Sequence, residues 1–303
     1  MRVLVTGGAG FIGSHLVRRL KKDNEIIVFD NFSSGRREFI PAGIEVVDGD
    51  LLDEESIAEA LGGIDFVYHL AANPDVRAGA SDTHVHVREN ILATHNLLEG
   101  MRKNSVKNIL FTSTSTVYGD ASEVPTPENY GPLVPISLYG ASKLACEALV
   151  TAYCHTFDMR SWILRFANIV GERGTHGIII DFINKLRKNP GELEILGDGR
   201  QEKSYLHVSE CVDAMLFAVG HSRDMVNIFN IGSGDTISAR RIGDIVCDEM
   251  GLSPSYRFTG GARGWRGDVP KMRLSVDKLR ALGWEPRCGS EESVRKAARE
   301  LLG

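Results

Sequence analysis

Arg2-Val3-Leu4-Val5-Thr6-Gly7-Gly8-Ala9-Gly10-Phe11-Ile12-Gly13 decides how this chain is read. An apolar β-type run over residues 2–7 passes through glycines three apart into a helical pattern that continues to Leu20. Each glycine has its own task in such a turn. Gly7 permits the tight turn, Gly10 lets a pyrophosphate approach the backbone, and Gly13 lets the helix pack on the strand. Phosphate oxygens there meet free N–H groups and the positive end of the helix dipole. The next apolar run, Ile26-Ile27-Val28-Phe29, ends in Asp30. A carboxylate at that strand end accepts hydrogen bonds from both hydroxyls of a ribose and repels a 2′-phosphate, which favours NAD over NADP.

The alternation of strand and helix continues outward from this turn. Ile44 to Val47 reads as a strand ending near Asp50, followed by a short helix near Ser56–Leu61 and the strand Phe66 to Ala72. Asp50 stands at a strand's C-terminal end, where an adenine amino group can be held. Ala71 and Ala72 are small, as a dinucleotide lying over a strand end requires. A long helix spans about His86 to Arg102 and carries Asn90. The strand Ile109-Leu110-Phe111 runs into the hydroxyl-rich stretch Thr112-Ser113-Thr114-Ser115-Thr116-Val117-Tyr118-Gly119. A proline-rich loop then leads to Tyr139-Gly140-Ala141-Ser142-Lys143, and the strand Trp162 to Phe166 ends at Ala167-Asn168.

Past that point the rhythm weakens. Gly171 to Gly177 is a glycine-rich loop, and Ile178 to Lys188 reads as an amphipathic helix. The stretch Tyr205-Leu206-His207-Val208, a helix near Ser209–Val219 and the strand Val226 to Asn230 return to the main sheet. The expected fold is α/β, a doubly wound parallel sheet of Rossmann type with a smaller interleaved C-terminal lobe. Residues 1–168, with a return segment at about 204–232, form the dinucleotide-binding domain. Residues 169–203 and 233–303 form the second lobe.

Tyr139 and Lys143 are four apart, so on a helix they share one face. A free tyrosine titrates at about 10. A neighbouring cation favours the phenolate, and bringing that value to near neutrality takes about 4 kcal/mol, within reach of a lysine plus a cationic nicotinamide. Such a tyrosine can take a proton from an alcohol while hydride leaves the carbon.

Composition narrows the remaining options. The chain has 303 residues, 43% hydrophobic and 25% charged, which are globular proportions. A net charge of -5 without a basic block argues against nucleic acid as a partner. No apolar run approaches the roughly 20 residues that cross a bilayer. The five cysteines (Cys146, Cys154, Cys211, Cys247, Cys288) contain no CxxC pair and read as free thiols. With no leader ahead of the first strand, the expected location is the cytoplasm. His84, His86 and His95 lack an acid or cysteine to complete a ligand set, so no metal is expected.

In sum, these motifs resemble the extended short-chain dehydrogenase/reductase family over essentially the whole chain, and within it the nucleotide-sugar epimerases. The resemblance rests on Gly7 to Gly13, Asp30-Asn31, Gly49-Asp50-Leu51, His69-Leu70-Ala71-Ala72, Thr112–Gly119, the Tyr139 and Lys143 pair, and Arg165-Phe166-Ala167-Asn168. Ser204-Tyr205-Leu206-His207-Val208 and Arg266-Gly267-Asp268 follow later. It implies that Tyr139 is the base, that Lys143 binds the nicotinamide ribose and lowers the tyrosine pKa, and that Thr114 hydrogen-bonds the sugar 4-hydroxyl. It implies an NAD site built from Gly7, Gly10, Phe11, Ile12, Gly13, Asp30, Asn31, Ser33, Ser34, Gly35, Asp50, Leu51, Leu70, Ala71, Ala72, Asn90, Thr112, Tyr139, Lys143 and Ala167. Substrate contacts are implied for Thr114, Asn168, Tyr205, Arg266 and Asp268, with Arg266 on the diphosphate. Packing is the alternative for Tyr205. Lys203 stands where many relatives carry arginine, and its ammonium offers a point charge in place of a bidentate phosphate contact.

Relatives that eliminate water carry Asp-Glu just after the threonine, and decarboxylating relatives carry glutamate just before Val-Tyr-Gly. Here Ser115 and Thr116 fill those places, neither an acid nor a base at neutral pH. The expected reaction is therefore 4-epimerisation of a UDP-hexose, interconverting UDP-glucose and UDP-galactose through a 4-keto intermediate. UDP-glucuronate or UDP-N-acetylhexosamine epimerases, a 4,6-dehydratase and a non-catalytic NAD sensor are the alternatives. A homodimer is implied by the resemblance.

Overall fold

The computed structural model describes residues 1–303 except Arg266. In chain order the elements are β1 (Arg2–Thr6), α1 (Phe11–Leu20), β2 (Glu25–Asp30), β3 (Glu45–Asp48), α2 (Glu54–Ala60), β4 (Phe66–His69), α3 (Ala93–Lys103), β5 (Asn108–Thr114), α4 (Leu138–Phe157) and β6 (Arg160–Phe166). There follow β7 (Asn168–Val170), α5 (Ile178–Lys188), β8 (Glu192–Ile195), β9 (Glu202–Lys203), β10 (Tyr205–His207), α6 (Val208–His221) and β11 (Val226–Ile231). The chain ends with β12 (Ile237–Ser238), α7 (Ala239–Met250), β13 (Ser255–Phe258), β14 (Lys271–Met272), α8 (Asp277–Leu282) and α9 (Ser290–Leu302).

Seven strands form the central sheet in the order β11-β6-β5-β4-β1-β2-β3. The four pairings from β3 across to β5 are all parallel. Strand order reverses between β1 and β4, the place where a doubly wound sheet takes its ligand. The glycine turn after β1 opens at that switch point. The inner strands are continuous apolar runs because helices cover both faces. On one face Leu4, Phe29, Val67, Ile109 and Phe111 pack with Leu97, Leu98 and Met101 of α3 and Cys146, Val150 and Cys154 of α4. Each large side chain buried there contributes about 1.5–3 kcal/mol relative to exposure.

Local chemistry sets the helix ends. The Asp53 carboxylate accepts from the N–H groups of Glu55 and Ser56 at the start of α2, satisfying orphan donors of the first turn. Ser137 caps α4 in the same way, its Oγ accepting from Gly140 N. The helix ends where Asp158 turns left-handed at φ 54°, and α7 likewise stops at Gly251 with φ 66°.

The chain divides into two compact units. The first is Met1–Val117, Ser137–Arg165 and Met215–Phe229; the second is Tyr118–Ile136, Phe166–Ala214 and Asn230–Gly303. The second unit has its own core, with Phe182, Ile183 and Leu186 of α5 against Leu193, Ile195, Ile242, Ile245, Val246 and Val294. The segment expected as one helix from His86 to Arg102 instead opens with a π-helical stretch, Val87–Leu92, before α3. The five cysteines are free. Among the described residues, no helix is long and apolar enough to cross a membrane, and no group of three or more His, Cys, Asp or Glu is placed to hold a metal.

Candidate active site

The glycine turn separates the three tasks assigned to it. Gly7 has φ 68°, and a Cβ on it would fall 2.7 Å from Ala71 N. Gly7 thus supplies both the left-handed turn and the close approach of β4. A Cβ on Gly13 would fall 2.1 Å from Gly7 O, so α1 packs on the turn only with glycine there. A Cβ on Gly10 would meet nothing closer than Gly7 O at 3.2 Å, leaving its outer side open. Gly10 also caps α1 without a side-chain hydrogen bond, and the first turn holds no acid. An open backbone at a helix start without a carboxylate of its own fits the pyrophosphate of NAD.

Asp30, at the end of β2, is buried. Its Oδ2 accepts from Ala9 N at 2.9 Å and its Oδ1 from Phe32 N at 2.9 Å. Burial pushes its carboxyl up and these two backbone bonds pull it down, while Asp48 adds a smaller upward push. An ionised carboxylate accepts about four hydrogen bonds, so Asp30 secures the glycine turn and retains capacity for ribose hydroxyls. Asn31 donates to Asp50 Oδ2 at 3.0 Å, and Asp50 Oδ1 accepts from Leu52 N at 2.9 Å. Ser33 and Ser34 are exposed and Gly35 is half-buried. A Cβ on Gly35 would press to 2.8 Å from Ala9 Cβ. Phe11 and Ile12 are half-buried in the first turn of α1, as are Leu70, Ala71 and Ala72 after β4, whereas Leu51 is buried.

The reactive pair lies on α4. Tyr139 is in its first turn and Lys143 one turn on. The Lys143 ammonium is buried, donates to the Thr112 carbonyl at 3.0 Å and lies 4.8 Å from the centre of the Phe111 ring. Burial lowers it to about 8, with Cys146 and Glu147 working in the opposite direction. The Thr114 hydroxyl is the neighbouring group that pulls the Tyr139 phenol down, and the His86 ring stands edge-on 5.6 Å away. Burial pushes the phenol up to about 12 against that opposing pull. This departs from the sequence expectation. In the chain alone burial outweighs any help from Lys143, and the hydroxyl of Thr114 is the group that favours the phenolate.

Asn90 sits in the π-helical stretch and is buried. Its Oδ1 accepts from Asn73 N at 2.8 Å and its Nδ2 donates to Ser142 Oγ at 2.9 Å. Ser142 Oγ donates in turn to Tyr139 O at 2.8 Å. Asn90 therefore ties the loop after β4 to the turn that carries the tyrosine. Thr112 Oγ1 donates to His69 O at 3.2 Å. His69, buried between the hydroxyls of Thr6 and Thr94, is lowered to about 3 by burial and the Lys143 charge and stays neutral.

One buried network escaped the sequence reading. Glu147, one turn beyond Lys143, takes both arms of Arg165 on β6, with Nε to Oε1 at 3.0 Å and Nη2 to Oε2 at 2.7 Å. Ser113 Oγ donates to the same Oε1 at 2.5 Å. The signal was available: an arginine inside the apolar strand Trp162-Ile163-Leu164-Arg165-Phe166 requires a buried partner.

In the second unit, Asn168 Nδ2 donates to Ser204 O at 3.0 Å, and Ala167 is buried with its N–H donated to Ile231 O at 2.8 Å. Tyr205 packs in the apolar core of that unit, and burial raises its hydroxyl pKa. Asp268 is buried against the Lys203 ammonium at 2.5 Å and accepts from Gly264 N at 2.9 Å. Arg263 pairs with Asp120 at 2.7 Å beside a cavity of about 500 Å³ lined also by Asp198, Arg200, Gln201 and Lys271. Arg266, expected on the diphosphate, lies outside the described residues.

A doubly wound sheet with a glycine turn at its switch point and a tyrosine–lysine pair on α4 defines a nucleotide-dependent dehydrogenase-like class. Residues 3–232 match the NAD dependent epimerase/dehydratase family, and the chain belongs to that family. The chain is 34% identical over 302 residues, 97% of its length and 96% of the relative's, to a putative UDP-glucose 4-epimerase of Methanocaldococcus jannaschii. A solved UDP-galactose 4-epimerase shares 45% identity with a TM-score of 0.92, covering 100% of this chain and 99% of that one. The UDP-glucose 4-epimerase of Thermotoga maritima, solved with UDP-glucose, shares 32% identity with a TM-score of 0.90 over 100% and 99% of the two chains.

Proposed function

We propose that the chain is an NAD-dependent 4-epimerase of UDP-hexoses that interconverts UDP-glucose and UDP-galactose. The observation that carries this reading is the Tyr139 and Lys143 pair one turn apart on α4, with Lys143 bound to Thr112 O at the C-terminal end of β5, where the Thr114 hydroxyl favours the Tyr139 phenolate. Bound NAD supplies the hydride acceptor and donor. Tyr139 takes the proton of the sugar 4-hydroxyl as the C4 hydrogen leaves, which makes C4 a carbonyl. Thr114 donates to the oxygen that carries the charge. Lys143 holds the ribose and supplies a positive field that favours the phenolate. The 4-keto sugar turns about its diphosphate linkage, and Tyr139 returns the proton as hydrogen is restored to the opposite face. Water elimination or decarboxylation needs a further acid or base, and Ser115 and Thr116 offer neither.

The lobe formed by residues 169–203 and 233–303 takes the sugar nucleotide, with Asn168, Arg266 and Asp268 addressing its diphosphate and nucleoside. Val87, Leu92 and Leu138 remain exposed on the α4 and π-helical segments, which supports a homodimer through those helices. The free, scattered thiols support a cytoplasmic location.

Purified protein incubated with UDP-glucose, UDP-galactose, UDP-glucuronate and UDP-N-acetylglucosamine, without added NAD, tests the reading by chromatography of the products. UDP-glucose and UDP-galactose are expected to reach one common mixture from either side. Conversion of UDP-glucuronate or UDP-N-acetylglucosamine alone would replace the hexose assignment.

A further inference from the structure

Thr114 is held by its neighbour in one hydrogen-bonding state. Its Oγ1 accepts two hydrogen bonds, from Thr116 N at 3.2 Å and from Thr116 Oγ1 at 3.2 Å. A hydroxyl has one proton and two lone pairs. With both lone pairs occupied, Thr114 can only donate, and the group its hydroxyl acts on is the Tyr139 phenol, which it pulls down. The geometry has a local cause. After β5 the chain tightens into a short 3₁₀ turn, Ser115–Tyr118, which brings the backbone and hydroxyl of residue 116 back over the side chain two residues earlier. We propose that Thr116 is a positioning residue that makes Thr114 an obligate donor to the oxygen carrying negative charge. That oxygen is the Tyr139 phenolate before proton transfer, and the sugar 4-oxygen as it gains negative charge when hydride returns to C4.

The chemical consequence has a definite sign. A donor to the phenolate lowers the Tyr139 pKa, whereas a hydroxyl free to accept from the neutral phenol raises it. Donation by Thr116 also polarises the Thr114 O–H and strengthens its own donation. Valine at position 116 keeps the shape and the backbone N–H but returns one lone pair to Thr114. The hydroxyl of residue 114 can then rotate and stabilise the wrong form of the base. Thr116 has no direct part in the chemistry; all its effect passes through Thr114.

The proposal rests on the epimerase reading for its kinetic arm and is independent of it for its spectroscopic arm. Phenolate absorbance of NAD-saturated protein is titrated in wild type, Thr116→Val and Thr116→Ser, each corrected by the same protein carrying Tyr139→Phe. The pH profile of kcat is followed alongside. Thr116→Val is expected to move the Tyr139 titration and the acid limb of kcat to higher pH and to lower kcat on that limb by about fivefold, the worth of one neutral hydrogen bond. KM should hold, Thr116→Ser should restore both curves, and in a Thr114→Val background Thr116→Val should add nothing. Coincident titrations of wild type and Thr116→Val would overturn the proposal. So would Thr116→Ser behaving like Thr116→Val, which assigns the effect to packing of the methyl group. Wild-type protein without turnover on any UDP-sugar removes the epimerase reading, while the titration still decides the role of Thr116.

Discussion

Tyr139→Phe is expected to lower kcat by about 10²–10⁴-fold, the range spanned by a positioned general base, with NAD and UDP-glucose affinities within about twofold of wild type. The ring stays and its edge contact with His86 is kept, so the loss falls on the hydroxyl, its proton transfer and its interaction with Thr114. In the chain alone burial pushes the phenol up to about 12, well above where a base operates at neutral pH. A base works deprotonated, so turnover is present above its pKa and falls away as pH drops through it. Kinetics and equilibrium dialysis on the variant check both halves of this expectation. Turnover near the wild-type rate would move the base to another residue.

The second large effect is on stability. Glu147→Ala is expected to cost about 3–5 kcal/mol, because it leaves the Arg165 guanidinium buried without its bidentate carboxylate. For a chain of this size that lowers the melting temperature by about 5–8 °C. Two features distinguish this from simple truncation. Arg165→Met combined with Glu147→Leu should recover most of the loss, since apolar side chains of similar volume replace a buried pair at little cost. Because Glu147 also favours the charged form of Lys143, turnover in Glu147→Ala should fall further than the fraction folded. Thermal unfolding of the single and double variants separates these outcomes, and a Glu147→Ala protein as stable as wild type would contradict the assigned role.

Much of this was legible in the chain because the relevant signals are local. Glycines at fixed spacing between a strand and a helix, an acid ending the next strand, and a tyrosine four residues before a lysine all express their geometry within one turn or one strand. The amphipathic period of Ile178–Lys188 likewise gave α5 its observed bounds. The rest depends on contacts distant in sequence. The π-helical stretch Val87–Leu92 is not visible in the hydrophobic period, because Asn90 is held by Asn73 and by Ser142 on another helix. Strands of two or three residues, such as β9, β12 and β14, are too short for any periodicity to register. Phe66 to Ala72 reads as one strand, yet β4 stops at His69, where the chain turns toward the Gly7 crossing.

The same distinction governs the site. Residue types announced the tyrosine–lysine pair, but the protonation balance came from burial, which no motif encodes. Arg165 inside an apolar strand announces that it needs a buried partner, but Glu147, 18 residues away, resembles an ordinary helix charge until the strand and helix are seen to enclose it. The role of Thr116 emerges only when lone pairs are counted around Thr114.

The central claim is that one carbon loses a hydrogen and regains the same hydrogen on its other face, with the proton of its hydroxyl passing through Tyr139. Epimerisation of UDP-galactose in deuterium oxide, followed by NMR of the UDP-glucose formed, tests it most directly. Full retention of protium at C4 is the predicted result. Deuterium at C4 would contradict the account, because it requires that hydrogen to exchange with solvent during turnover.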